Sequence, residues 1–169
     1  MKTLIVFASK YGATAECAKR IAALLPGETV LHRLGEGECP APEEFDGVIC
    51  GTSIYMGQPR KEMKRFLKTH AAALQKQPLG LFLCCIQDVN RSVAEQVDVS
   101  FPRALREHAC VLGALGGVVE FDRLRGLDRF MMNLISGDLR KKTGASAVNT
   151  LSGERIAKFA QTYLQGAQK

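Results

Sequence analysis

Apolar runs of strand length recur along this chain, and most are followed by residues in helical spacing. Thr3–Ala8, Val48–Gly51, Leu79–Ile86 and Cys110–Val119 are apolar at nearly every position, so each reads as a strand buried on both faces. Thr29–Leu34 is more polar and suits a sheet edge. Between and after the runs, Ala18, Ile21, Ala22 and Leu25 follow a helical period that Pro26-Gly27 stops. Met63, Phe66, Leu67, His70, Ala71 and Leu74 form a second stripe after Pro59. Leu124, Leu127, Phe130, Met131, Leu134 and Ile135 form a third. A last helix opens at Ser152 and buries Ile156, Phe159, Ala160, Tyr163 and Leu164. Gly35–Glu44 reads as a loop, and Gln87–Ala109 is weakly patterned apart from a short helix near Pro102.

Doubly apolar strands alternating with helices predict an α/β fold whose parallel sheet is covered on both sides. Five strands suit the flavodoxin-like three-layer fold with a five-stranded parallel sheet in the order 2-1-3-4-5. No linker or repeat divides the 169 residues, so 1–169 is expected to be a single domain. Hydrophobic residues make up 46% and charged residues 24%, which suits a packed globular chain rather than a disordered one. The first apolar run ends at Ser9-Lys10, too short for a signal peptide, and reads as a buried first strand.

The six cysteines, at 17, 39, 50, 84, 85 and 110, show no CxxC and no zinc spacing. Most sit in apolar runs and are expected to be reduced core residues, consistent with a cytoplasmic location. Cys84 and Cys85 should face opposite sides of a strand. His32, His70 and His108 fall on a strand, a helix face and a helix end, outside the ligand loops. The net charge of +6 favours anionic partners. Its basic residues are spread over helix faces, so no nucleic-acid partner is expected.

In such a fold ligands bind beyond the carboxyl ends of the strands. Three loops lie there. Ser9-Lys10-Tyr11-Gly12-Ala13-Thr14 offers hydroxyls, a turn glycine and the free N–H groups of a helix start, which together suit a phosphate. It lacks both the GK[ST] ending of a Walker loop and GxGxxG. A Thr14 N-cap beside a turn glycine explains the same six residues equally well. Gly51-Thr52-Ser53-Ile54-Tyr55-Met56-Gly57-Gln58 offers an aromatic face and flanking glycines for a planar ring; a hairpin with Tyr55 packed on its neighbours is the alternative. Ile86-Gln87-Asp88-Val89-Asn90 carries amide and carboxylate groups for a polar ring edge, or is a plain turn. A receiver domain would need acids near the end of the first strand and an Asp ending the third. Ala8-Ser9 and Cys50-Gly51 stand there instead.

The first strand, the Ser9–Thr14 turn and the Gly51-x-Ser53-Ile54-x-x-Gly57 loop together resemble the flavodoxin family, in the branch that includes menaquinone-dependent protoporphyrinogen oxidase. Gly113-Ala114-Leu115 and Leu127-Asp128-Arg129-Phe130-Met131 extend the resemblance over most of the chain. It implies FMN as cofactor, with Ser9, Lys10, Tyr11, Gly12, Ala13 and Thr14 on its phosphate. Ser53, Ile54, Tyr55, Met56 and Gly57 would flank the isoalloxazine, with Ile86, Gln87 and Asp88 on its other side. It also implies a flavin-dependent oxidoreductase acting on a porphyrinogen and passing electrons to a quinone. An electron-carrying flavodoxin and an NAD(P)H:quinone reductase are the alternatives within the family. Two features depart from the branch: a long basic insertion before the last strand is missing, and Val148-Asn149-Thr150-Leu151 replaces a Thr-Asp-Trp. The basic, amphipathic stretch Arg123–Lys142 reads as a helix docked on the sheet with its basic face in water, or as a peripheral contact with an anionic membrane or an acidic partner.

Overall fold

The computed structural model describes residues 1–55, 57–85, 92–120 and 147–168. The strands are β1 (Lys2–Ala8), β2 (Glu28–Arg33), β3 (Gly47–Tyr55), β4 (Gln58–Pro59), β5 (Leu79–Cys84), β6 (Val111–Ala114), β7 (Val118–Glu120) and β8 (Ala147–Asn149). The helices are α1 (Ala13–Leu24), α2 (Lys61–Thr69), α3 (Ala71–Leu74), α4 (Val93–Ser100), α5 (Arg103–His108) and α6 (Gly153–Ala167).

The main sheet runs β2-β1-β3-β5-β6, all parallel, with β4 hooked antiparallel onto β3. With β4 set aside, this is the expected 2-1-3-4-5 order. Alternate strand residues feed the two faces. Leu4, Val6, Val48, Cys50, Leu81 and Leu83 meet Met63, Phe66 and Leu67 of α2 and Leu105 of α5. Ile5, Phe7, Ile49, Phe82 and Cys84 meet Cys17, Ala18 and Ile21 of α1 and Ile156, Phe159 and Tyr163 of α6. Both faces are covered, as three layers require. Cys84 and Cys85 fall into opposite layers, and all six cysteines are free thiols.

Several elements differ from the sequence reading. The strand expected over Cys110–Val119 stops at Ala114. A left-handed turn at Gly116 (φ +91°) then redirects the chain into β7, which pairs antiparallel with β8 in a separate two-stranded sheet. Thr150 fastens this turn: its Oγ1 accepts from Gly117 N–H at 3.0 Å, and its N–H donates to Gly117 O at 2.8 Å. At the sheet edge β6 is only partly covered, and Leu112 is exposed. The helix expected through Met63–Leu74 breaks at His70, whose backbone (φ −104°, ψ 14°) ends α2 and opens α3. The weakly patterned Gln87–Ala109 stretch holds an additional helix, α4. Its Ser92 and Glu95 form a reciprocal capping box, with the Glu95 N–H donating to Ser92 Oγ and the Ser92 N–H to the Glu95 carboxylate. The stripe from Leu124 to Ile135 and the basic stretch Arg123–Lys142 lie outside the described residues.

Candidate functional site

The carboxyl ends of β1, β3 and β5 sit side by side, because Ala8 pairs with Thr52 and Ser53 with Cys84. The loops that leave β1 and β3 therefore start side by side, and the two are built differently.

Between β1 and α1 the chain turns within four residues. Gly12 occupies the left-handed region (φ +95°), and space lies open where a side chain would stand. Its N–H donates to Ser9 Oγ at 3.1 Å. Gly12 itself is the N-cap of α1, and no side chain caps that helix. This rules out the Thr14 N-cap alternative, since Thr14 lies inside the first turn. Its side chain is fully buried, and Oγ1 has no hydrogen-bond partner. The Cys84 thiol lies beside it without meeting hydrogen-bond geometry. Ala13 packs into the core beneath α1, so only its backbone can face a ligand. From the neighbouring strand, Arg33 donates to Ser9 O at 3.1 Å and pairs with Glu36 at 2.9 Å. That buttress comes from β2 and carries no local sequence signal.

After β3 the chain does not loop out at Gly51 as expected. The strand continues to Tyr55, turns at Gly57 (φ +69°) and returns as β4, pairing Ile54 with Pro59 and Tyr55 with Gln58. Thr52 Oγ1 accepts the Arg60 N–H at 3.2 Å and pins the base of this hairpin. Gly51 is obligatory: a Cβ there would fall inside the Phe82 ring of the paired strand. Ser53 presents a second buried hydroxyl without a partner. Tyr55 does pack on neighbours, as the hairpin alternative held. Lys10 Nζ lies 3.3 Å from its ring centroid, and the Tyr11 ring meets it edge-on at 6.2 Å. These contacts bring the two loops together.

Of the expected site residues, Ser9 through Thr14 and Ser53, Ile54, Tyr55 and Gly57 thus share one end of the sheet. Met56, Ile86, Gln87 and Asp88 lie outside the described residues. Beneath the site, Cys84 donates to Cys17 with the sulfurs 3.5 Å apart. That hydrogen bond pulls the Cys17 thiol below its ordinary pKa despite burial, and the Cys84 thiol is pushed up.

Residues 4–146 match the family described as flavodoxin domain. The chain belongs to that family. Among similar proteins, the protoporphyrinogen IX dehydrogenase (quinone) of Escherichia coli strain K12 is 29% identical. The match covers 95% of this chain and 93% of that protein. The fold is shared with oxidised flavodoxin 1 from Bacillus cereus (19% identity, TM-score 0.56, 98% of each chain). It is shared also with the Fusobacterium nucleatum flavodoxin solved bound to flavin mononucleotide (14% identity, TM-score 0.56, 97% of each chain).

Proposed function

We propose that this chain binds one FMN at the convergence of the three loops and uses it to oxidise a porphyrinogen, passing the electrons to a quinone. The observation that carries the FMN site is the pair of buried, unpartnered hydroxyls of Thr14 and Ser53. A buried hydroxyl left without a partner costs about 1–3 kcal/mol, which a ligand oxygen or nitrogen would offset. The uncapped first turn of α1 adds N–H donors and a positive dipole end suited to the phosphate. In this reading Ser9, Lys10, Tyr11, Gly12, Ala13 and Thr14 hold the phosphate, and Gly12 leaves room for its close approach. Ser53, Ile54, Tyr55, Met56 and Gly57 flank the ring, with Ile86, Gln87 and Asp88 on its far side. Bound FMN would supply the two-electron chemistry, while the protein binds, orients and shields it.

Similarity along nearly the whole length to a quinone-linked porphyrinogen dehydrogenase supports the choice of reaction. No helix among the described residues is long and apolar enough to cross a membrane. We place the protein in the cytoplasm, with the basic stretch Arg123–Lys142 touching the anionic inner face of the membrane, where a lipid-soluble quinone would be met. The absorption spectrum of purified protein tests the cofactor: flavin bands released as FMN are expected, and a colourless chain that takes up no FMN refutes it. Steady-state assays then offer protoporphyrinogen with a quinone, and separately NAD(P)H with a quinone. Turnover with NAD(P)H alone, or with neither, replaces the porphyrinogen reading with that of a quinone reductase or an electron carrier.

A further inference from the structure

The hairpin and the start of α2 enclose a cleft of about 430 Å³ lined by Tyr55, Gln58, Pro59, Arg60, Lys61, Glu62 and Lys64. Its charge is lopsided. Three cations face one acid, Glu62, whose Oε1 accepts from Arg60 at 3.1 Å while Oε2 is buried without a hydrogen-bond partner. Lys64 Nζ donates to Gln58 Oε1 at 3.2 Å, a neutral partner. No acid among the described residues pairs with Lys61 or Lys64.

The position of these cations works against the fold. Arg60 is the N-cap of α2, Lys61 its first residue and Lys64 lies one turn on, all at the positive end of the helix dipole. Cations stabilise the other end of a helix, and no side chain caps α2 to offset them. Folding alone would favour acids here. An anionic ligand reverses the balance, because cleft, cations and dipole then act in one direction. Tyr55 and Pro59 supply an apolar wall continuous with the ring-binding hairpin.

We propose that this cleft is the carboxylate-docking subsite for the substrate, and that Arg60, Lys61 and Lys64 select a tetrapyrrole macrocycle bearing carboxylate side chains. The assignment rests on the FMN reading above, since Tyr55 lines the cleft and belongs to the proposed ring-binding hairpin. Protoporphyrinogen carries two propionates. Held by the three cations, they would leave the macrocycle leaning over Tyr55 towards the flavin.

The test uses the full chain reconstituted with FMN and the variant Arg60→Gln/Lys61→Gln/Lys64→Gln. FMN affinity is read first, by flavin fluorescence. The probes are mesoporphyrin IX and its dimethyl ester, titrated by Soret absorbance in the same detergent. The wild type should bind the diacid about tenfold more tightly than the triple variant, the effect expected when one charge-assisted hydrogen bond is removed. The ester should bind both proteins alike, and raising the salt should weaken only diacid binding to the wild type. With protoporphyrinogen and a quinone, the variant should raise KM and leave kcat unchanged. Equal diacid affinity in wild type and variant overturns the proposal, as does an equal loss for diacid and ester. A wild type that takes up no FMN yet still shows the diacid preference refutes the FMN reading and leaves the cleft assignment standing.

Discussion

The two described loops at the carboxyl end of the sheet reach their shapes by different routes. The Ser9–Thr14 turn is fixed mostly locally, by one left-handed glycine, one hydrogen bond from its N–H to Ser9 Oγ and the helix that starts behind it, with Arg33 of β2 as a long-range hydrogen-bond buttress. The Ser53–Gly57 hairpin is fixed at a distance. It stands because Gly51 leaves room for Phe82 on the neighbouring strand and because Thr52 reaches forward to the Arg60 N–H. Within the turn, a buried hydroxyl is held ready inside rigid backbone; within the hairpin, an aromatic ring is held at the end of a strand. A loop of the first kind tolerates changes elsewhere in the sheet, whereas one of the second kind inherits every disturbance in its strand.

The sharpest way to break this contrast is Gly51→Ala. A methyl there meets the Phe82 ring, which is fully buried and also stacks edge-on with Phe159 at 5.8 Å between centroids. Overpacking of this kind costs about 1–3 kcal/mol. Urea unfolding should show that loss, and the added change Phe82→Leu should return part of it. Hydrogen exchange should report the hairpin amides loosening more than those of the Ser9–Thr14 turn. Equal loosening of both loops would show that they share one support.

Thr14→Val comes next, and its two readouts should move in opposite directions. The hydroxyl is buried without a partner, so replacing it by a methyl of similar size should leave the FMN-free chain equally or more stable. FMN affinity should fall by about 1–3 kcal/mol, read by calorimetry. A loss of stability with unchanged FMN affinity would make Thr14 a packing residue and remove it from the site.

What is legible in the sequence follows the same division. Both layers follow from apolar runs that any buried parallel sheet must have, the strand order comes with the flavodoxin-like fold those runs suit, and the turn at Gly12 announces itself by a glycine soon after a strand. The exact cap stays open between two alternatives, because a threonine two residues later satisfies the usual N-cap composition. The hairpin is hidden: Thr52, Ser53 and Tyr55 read as polar loop residues, yet Thr52 and Ser53 are strand through pairing with Ala8, Leu83 and Cys84, and Ile54 and Tyr55 through pairing with Pro59 and Gln58. The Gly116 turn and the β7–β8 sheet are hidden for the same reason, since Val118 and Val119 continue an apolar run whose partner, Val148-Asn149, lies far along the chain. Ser92-Val93-Ala94-Glu95 carries the capping-box pattern, a signal for α4 that the reading of Gln87–Ala109 as weakly patterned missed. The cation cluster at Arg60, Lys61 and Lys64 is visible too, but its meaning depends on the helix that starts beneath it.

The smallest expected effect tests how the hairpin is tied to α2. Glu62 pairs with Arg60, the residue whose N–H is held by Thr52. Its own nearby backbone N–H first, and the Arg60 charge after the opposing effect of burial, hold its carboxyl below the ordinary 4.5. The unfolded chain therefore binds this proton at a higher pH than the folded one. The stabilisation is complete above the unfolded value and fades as the pH falls through the folded value. The Glu62 side chain is 37% exposed, so solvent screens the pair and its worth is about 0.2–1 kcal/mol. Glu62→Gln should lower the urea midpoint slightly at pH 7, and the gap from wild type should close as the pH is taken down to about 3. A gap that stays constant over this range would mean that the side chain acts through packing rather than charge, and the hairpin would then owe its anchor to Thr52 alone.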